Sequence, residues 1–140
     1  MSPRFLTLFC GLLLTVSAVS NDVMLPALFA IHADLGGRME DIQLAFPVFV
    51  LVSAIGQLAF GAGSDRFGRK STLIAGLGCY IAGSAIAMAA GGIGALLLGR
   101  ALQGLGSACC QVVARAVLRD THHGLALASA MALAMAIFAV

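Results

Sequence analysis

The stretch Gly61-Ala62-Gly63-Ser64-Asp65-Arg66-Phe67-Gly68-Arg69-Lys70 is the most polar part of an otherwise apolar chain. It holds four of the fourteen charged side chains, of which eight are basic and six acidic, and long apolar segments lie on both sides of it. A short polar connection between two segments of membrane length predicts an antiparallel pair of spanning helices. Its three cations predict a cytoplasmic position, because short loops rich in Lys and Arg resist translocation.

The composition indicates a protein whose solvent is a lipid bilayer. Of the 140 residues, 61% are hydrophobic and 10% are charged, and the mean hydropathy is +1.04. A soluble domain carries about 25% charged residues, so this chain lacks the polar surface that would cover a soluble globule. The net charge of +2 gives no indication of a nucleic-acid partner.

Five apolar segments predict an all-α membrane bundle. The expected helices cover residues 5–31, 42–62, 71–90, 95–118 and 125–140. Since an α-helix rises about 1.5 Å per residue, each of the first four is long enough to cross about 30 Å of hydrocarbon. The fifth is still apolar at Val140, and we therefore expect the chain to be an incomplete fragment or a truncated product.

The distribution of Lys and Arg predicts how the chain is oriented. When the polar stretch is placed inside, Arg38 is the basic residue that remains outside. A bias of this kind sets the orientation of membrane proteins, so the N-terminus is expected in the cytoplasm. The basic residues on the inner side are then Arg4, Arg66, Arg69, Lys70, Arg115 and Arg119.

Asp22 is an acidic residue inside the first predicted span. An acid at the centre of a membrane helix costs about 2.5–3.5 kcal/mol, so such a residue normally faces a cavity. A carboxyl group there can bind and release a proton or meet a cationic substrate. The alternative is a residue near the outer end of the helix that only caps it or forms a hydrogen bond.

A polar stripe on the fourth predicted helix begins at Arg100 and continues through Gln103, Ser107 and Gln111. Spacings of three and four residues place these side chains on one helix face. Because lipid exposure of such a face is costly, we expect it to face the protein interior. In the functional interpretation, Arg100 meets an anionic group and the other three line a substrate cavity. The alternative is structural hydrogen bonding between helices.

The sequence offers no candidate cofactor, metal or catalytic site, and an enzyme is not expected. Cys109 and Cys110 point to different faces of a helix, and His122 and His123 have no third ligand nearby. A Ser/His pair or a paired-aspartate arrangement, from which a catalytic role could be argued, is not present.

The stretches 61–70 and 100–106 resemble motifs of the major facilitator superfamily, and two further segments resemble one of its subgroups. The run 100–106 is similar to the pattern R-x-x-Q-G-x-G in helix 4 of that family, and the segments 21–28 and 114–120 resemble parts of its Bcr/CflA-type drug resistance transporters. The polar stretch matches the pattern G-x-x-x-D-R-x-G-R-K/R between helices 2 and 3 through Gly61, Asp65, Arg66, Gly68, Arg69 and Lys70.

The resemblance implies the first four to five helices of a twelve-helix bundle, in which two six-helix halves enclose the site. It implies a proton-coupled multidrug or metabolite exporter of the bacterial inner membrane that works by alternating access, with Asp22 and Arg100 in proton coupling. Its partners would be a small-molecule substrate, protons, the bilayer and the missing C-terminal portion of the carrier. A conformational gate would consist of Gly61, Asp65, Arg66, Gly68, Arg69 and Asp120.

Two other interpretations stay open. One is a small exporter that works as a homodimer of four-helix chains, whose length fits but which usually lacks the basic loop and the R-x-x-Q-G-x-G motif. The other is a truncated membrane fragment that does not transport. Neither the substrate nor the oligomeric state follows from the sequence.

Overall fold

The computed structural model describes the backbone of residues 3–122 and 124–138, and the side chains in these ranges except at 3–4, 62–67 and 137–138. This described part is helical and contains no strand, which confirms the all-α class. Four of its stretches are long and apolar enough to cross a membrane: Phe5–Asp22, Met39–Gly61, Arg69–Met88 and Ile93–Thr121. The helices are α1 (Pro3–Asp22), α2 (Met24–Leu35), α3 (Met39–Gln43), α4 (Ala45–Phe67), α5 (Arg69–Met88), α6 (Ile93–Thr121) and α7 (Gly124–Phe138).

Two short interruptions divide the helices, and each lies three residues before a proline. The continuous helix expected over 5–31 is divided at Val23, and α3 is separated from α4 at Leu44. Pro26 and Pro47 lack the N–H group that would bond to the carbonyl four residues earlier, so one helical hydrogen bond is lost at each place. Val23 and Leu44 keep right-handed helical dihedral angles, and the helical path therefore continues across both positions.

The polar stretch is mostly helical, whereas a loop over residues 63–70 was expected between the two helices. α4 continues to Phe67 and α5 begins at Arg69, so that Gly68 alone joins them. Gly68 has a φ of 85°, a backbone conformation that glycine adopts without the steric cost of a Cβ atom. Its carbonyl accepts a hydrogen bond from the Thr72 hydroxyl at 2.9 Å. One glycine therefore makes the reversal between the two helices.

α6 is the central helix of the bundle. It packs along α5 and α4, and it also contacts α1 and α7, while α7 packs chiefly on α1. A helix with neighbours on several sides is buried over most of its circumference. The core shared by α1, α6 and α7 consists of Cys10, Leu13, Leu14, Cys110, Ala114, Leu118, Ala130 and Ala134.

Glycines allow α6 to approach α5 and α4 very closely. A Cβ atom built at Gly83 of α5 would lie 2.7 Å from both the Gln103 nitrogen and the Gly99 carbonyl oxygen of α6. A Cβ atom built at Gly104 would lie 2.5 Å from the carbonyl oxygen of Phe49 on α4. Because lipid is as apolar as the helices, close packing at small residues supplies much of their attraction in a membrane.

The variant Gly83→Ala is expected to lower the unfolding free energy of the chain in detergent micelles by about 1–3 kcal/mol, because the added methyl group has to displace backbone atoms of α6. Gly78→Ala on the same helix is the matched control, since a Cβ atom there meets nothing within 4 Å. Alanine's helix preference should make this control more stable by up to about 1 kcal/mol. Thermal unfolding followed by circular dichroism measures both, and equal effects would contradict the close α5–α6 contact.

Candidate functional site

Arg100 is a buried charged residue of α6 that contacts two other helices, and it is 4% exposed. Its Nε donates to the Ala45 carbonyl at 3.3 Å, and its Nη1 donates to the Ser20 carbonyl at 3.2 Å. Nη2 donates to the side-chain oxygen of Asn21 at 3.3 Å. The guanidinium carbon lies 4.5 Å from the centre of the Phe49 ring. One side chain therefore joins α1 and α4 to α6.

Gln103 extends this network to α5. Its Oε1 accepts a hydrogen bond from Arg100 Nη1 at 2.9 Å, and its Nε2 donates to the Ser84 hydroxyl at 2.9 Å. One turn earlier on α5, the Tyr80 hydroxyl is hydrogen-bonded to the hydroxyl of Ser20 on α1. Arg100 and Gln103 together are thus hydrogen-bonded to α1, α4 and α5.

A cavity of about 420 Å³ lies beside the network, between α1, α2, α5 and α6. Its walls are mainly apolar, with Ser20, Tyr80, Arg100 and Gln103 as polar residues among them, and Asp34 of α2 also lines it. An apolar cavity with a few convergent polar groups is the usual form of a small-molecule site. Gln103 is the predicted substrate-cavity residue that lies on this wall.

The other two residues of the predicted stripe bond to neighbouring helices. Ser107 is fully buried, and its hydroxyl oxygen lies 3.4 Å from the Ser53 hydroxyl of α4. Gln111 donates to the Ser17 hydroxyl of α1 at 2.6 Å and accepts from Arg115 at 2.7 Å. Neither Ser107 nor Gln111 contributes to the described wall of the cavity.

Asp22 lies at the end of α1, and its side chain is exposed. The contacts of the described residues do not join it to Arg100. The neighbouring residue Asn21 bonds to the guanidinium instead. Asp22 and Arg100, the two residues predicted for proton coupling, are therefore not paired in this structure, and the residue next to Asp22 on α1 makes the bond to Arg100.

An ion pair joins the N-terminal end of α5 to the C-terminal end of α6. Arg69 Nε donates to Asp120 Oδ2 at 3.2 Å, and the two side chains are 29% and 50% exposed. Exposed pairs of this kind contribute about 0.2–1 kcal/mol. The other members of the predicted gate are Gly61 within α4, Gly68 between the helices, and Asp65 and Arg66, whose side chains lie outside those described.

In the part of the chain that the structure describes, no group of three or more His, Cys, Asp or Glu side chains is placed to hold a metal ion. The ring Nδ1 of His122 lies 2.9 Å from the Thr121 hydroxyl. His123, its neighbour in the sequence, lies outside the described residues.

Four members of the polar network were not identified from the sequence: Asn21, Ser20, Ser84 and Tyr80. Tyr80 offered a signal, because it is the one tyrosine of the chain and a buried tyrosine hydroxyl needs a partner. The two serines offered none, since a serine within a helix commonly bonds to the carbonyl four residues earlier. Both make that bond here in addition to their contacts with other helices.

Comparison with known proteins shows the family. The model of the Major Facilitator Superfamily matches residues 8–140. The chain belongs to the major facilitator superfamily. The multidrug resistance protein MdtL of Escherichia coli O45:K1 (strain S88 / ExPEC) is 40% identical over 118 residues, which cover 84% of this chain and 30% of that relative. MdtL of Escherichia coli O139:H28 (strain E24377A / ETEC) is similar to the same extent.

Membership of the superfamily confirms the resemblance that the motifs at 61–70 and 100–106 predicted. The chain is a multi-pass membrane protein of a transporter family. It spans 30% of the length of the curated relatives that it matches. No solved structure matches the chain significantly.

The variant Arg100→Lys is expected to lower the unfolding free energy of the chain in detergent by about 1–3 kcal/mol. An ammonium group keeps the charge but cannot reach the acceptors on α1 and α4 together, and buried acceptors are left unsatisfied. Arg119→Lys is the control, because Arg119 is an exposed arginine near the end of the same helix. It should change stability by less than about 0.5 kcal/mol.

Thermal unfolding of the three proteins in the same detergent decides this prediction. If the Arg100→Lys chain unfolds at the same temperature as the unaltered chain, the guanidinium does not hold α1 and α4 against α6.

Proposed function

We propose that the chain is the N-terminal portion of a proton-coupled exporter of small drug-like or metabolite molecules. It would lie in a bacterial inner membrane with its N-terminus in the cytoplasm, as the Lys and Arg distribution favours. Membership of the superfamily and two relatives named for multidrug resistance support an exporter. The observation that carries the proposal is a buried arginine in a membrane span, bonded to the helix that holds Asp22.

The charge of Arg100 is solvated by the protein and is not neutralised by a described carboxylate. Four of its five N–H groups donate to neutral acceptors on α1, α4 and Gln103. Ionisable residues within spans are costly and mark functional pathways in transporters. A change of charge on α1 would therefore change the electrostatic potential at Arg100, which is bonded to that helix through Ser20 and Asn21.

Asp22 is the proposed carrier of the proton. Its exposed side chain can exchange a proton with water, and its neighbour Asn21 bonds to Arg100. Protonation would remove a negative charge at the end of α1 and so change the field at the guanidinium. Through the bonds of Arg100 and Gln103, that change would reach α4, α5 and α6.

The substrate would bind beside the same network. The cavity between α1, α2, α5 and α6 combines apolar walls with Tyr80, Arg100 and Gln103, which suits a molecule with an apolar body and a few polar groups. Ser107 and Gln111 enter the proposal as residues that position α4 and α1 against α6.

Alternating access needs two arrangements of the carrier that are close in free energy. The half-exposed pair Arg69–Asp120 is of the right strength for a gate, because about 0.2–1 kcal/mol biases an equilibrium without locking it. In the proposal this pair holds the inner ends of α5 and α6 together in the outward-open state. The roles of Asp65 and Arg66 in the gate rest on the superfamily motif.

Asp22→Asn is expected to abolish export driven by an imposed pH gradient, because the amide cannot take up and release the proton. The measurement uses everted membrane vesicles that contain the whole carrier, of which this chain is the proposed N-terminal portion. Glu40→Gln is the control, since Glu40 is an exposed acid of α3 that contacts Arg38. Undiminished pH-driven export by Asp22→Asn, or equal loss in both variants, would show that Asp22 does not carry the proton.

Arg69→Glu is expected to slow export in the same vesicles, because it places two acids at the α5–α6 contact. Combining it with Asp120→Arg restores the opposite charges and should recover part of the rate. Lys70→Glu is the control, as Lys70 is exposed and has no described ion pair. If the double variant exports no faster than Arg69→Glu alone, the Arg69–Asp120 pair is not part of the gate.

A further inference from the structure

We propose that Arg115, with Gln57 and Gln111, forms an anion-binding point on the inner half of the bundle. It would receive the carboxylate, sulfonate or phosphate group of a transported molecule. This inference rests on the proposed export function and adds a chemical class to its substrates.

Two amide side chains hold the Arg115 guanidinium in place. Nη2 donates to Gln111 Oε1 at 2.7 Å, and Nη1 donates to Gln57 Oε1 of α4 at 3.4 Å. Gln111 in turn donates to the Ser17 hydroxyl of α1 at 2.6 Å. The guanidinium is therefore fixed where α1, α4 and α6 meet. A guanidinium held in this way loses less conformational entropy when it binds a ligand than a freely moving surface arginine does.

Arg115 lies on the side of α6 that faces away from α5. The α5 side is marked by Gly106, where a Cβ atom would lie 2.5 Å from the Gly76 carbonyl oxygen. Arg115 follows Gly106 by nine residues, which at 3.6 residues per turn is about two and a half turns and so the opposite side. Arg115 is exposed on this side, which α1 and α4 flank.

The charge of Arg115 is not compensated within the described residues. Arg69 contacts Asp120 and Arg38 contacts Glu40, whereas both described partners of Arg115 are neutral amides. Two of the five N–H groups of its guanidinium are used, and three remain for a bidentate contact with an oxyanion.

The position of Arg115 along α6 argues for contact with water. It lies six residues before the end of α6 at Thr121, which is about 9 Å along the helix axis. Because α6 has 29 residues and about 20 cross the hydrocarbon, this position lies near the inner edge of the membrane, where an arginine keeps its charge in water. The exposed face between α1 and α4 is therefore expected to be open to water on the inner side of the membrane.

An anionic lipid headgroup carries the same oxygen chemistry as an anionic substrate, and a guanidinium binds both in the same way. The position between α1 and α4 favours a transported anion. The experiment is designed with two lipid compositions so that it separates the two sources.

The test uses the purified native-length carrier in proteoliposomes with two fluorescent probes of similar size, anionic fluorescein and cationic ethidium. The measured quantity is the ratio of their initial export rates. Arg115→Gln is expected to lower the fluorescein-to-ethidium ratio about tenfold, since loss of a charge-assisted bond commonly has an effect of this size. Arg115→Lys keeps the charge and should retain most of the ratio.

Arg119→Gln is the matched control, because Arg119 is exposed one turn further along α6, and it should leave the ratio unchanged. Each protein is measured in phosphatidylcholine alone and in phosphatidylcholine with phosphatidylglycerol. The same fall for Arg115→Gln in both membranes supports a substrate site. A fall that requires phosphatidylglycerol assigns the residue to lipid and overturns the proposal.

An unchanged ratio in the Arg115→Gln carrier, with both probes exported, overturns the anion-binding point and leaves the export function standing. Failure of the unaltered carrier to export either probe overturns the proposed function and the anion-binding point with it.

Discussion

The guanidinium of Arg100 has to be hydrogen-bonded within the bundle, because the hydrocarbon of a membrane offers it no water. Its acceptors on the neighbouring helices include the carbonyls of Ser20 and Ala45. These carbonyls lie within three residues of the interruptions at Val23 and Leu44. One buried side chain therefore fixes where two interrupted helices cross α6, and the polar network and the cavity wall follow from that arrangement.

Different sides of α6 pack against their neighbours through different kinds of contact. Towards α5 it presents glycines such as Gly99 and Gly106, which bring the two backbones into contact. Towards α1 and α4 it also presents polar side chains, among them Arg100, Gln111 and Arg115. Hydrogen bonds can exchange partners, whereas backbone contacts at glycine cannot shift far without clashes. Since Gly104 also brings α4 into backbone contact with α6, we expect α1 to change its contacts with α6 more readily than α4 or α5 does.

Much of the fold could be predicted from the sequence because long apolar segments have few alternatives in a membrane. The family followed from the motifs at 61–70 and 100–106. The length of the turn at Gly68 could not be predicted, because a polar segment that leaves the membrane can still be helical. The interruption at Val23, in contrast, lies where Pro26 removes the bond to the carbonyl four residues earlier.

The site was harder to derive than the fold. Spacing places Arg100 and Gln103 on one helix face, but it does not say which helix packs there. The sequence drew attention to Asp22 because it is charged, whereas the bond to Arg100 is made by the neutral Asn21. Contacts between distant segments, such as those of Ser84 with Gln103 and of Tyr80 with Ser20, depend on the packing of whole helices. Short sequence patterns do not predict such contacts.

The central claim is that Arg100 holds α1 through Asn21 and is not paired directly with Asp22. A pair of double-mutant cycles on the chain in detergent measures this, one combining Arg100→Gln with Asn21→Ala and the other combining it with Asp22→Ala. The structure predicts a coupling energy of about 0.5–3 kcal/mol in the first cycle and a smaller one in the second, where Asp22 acts on the guanidinium only through its charge. Coupling with Asp22 and none with Asn21 would contradict the account.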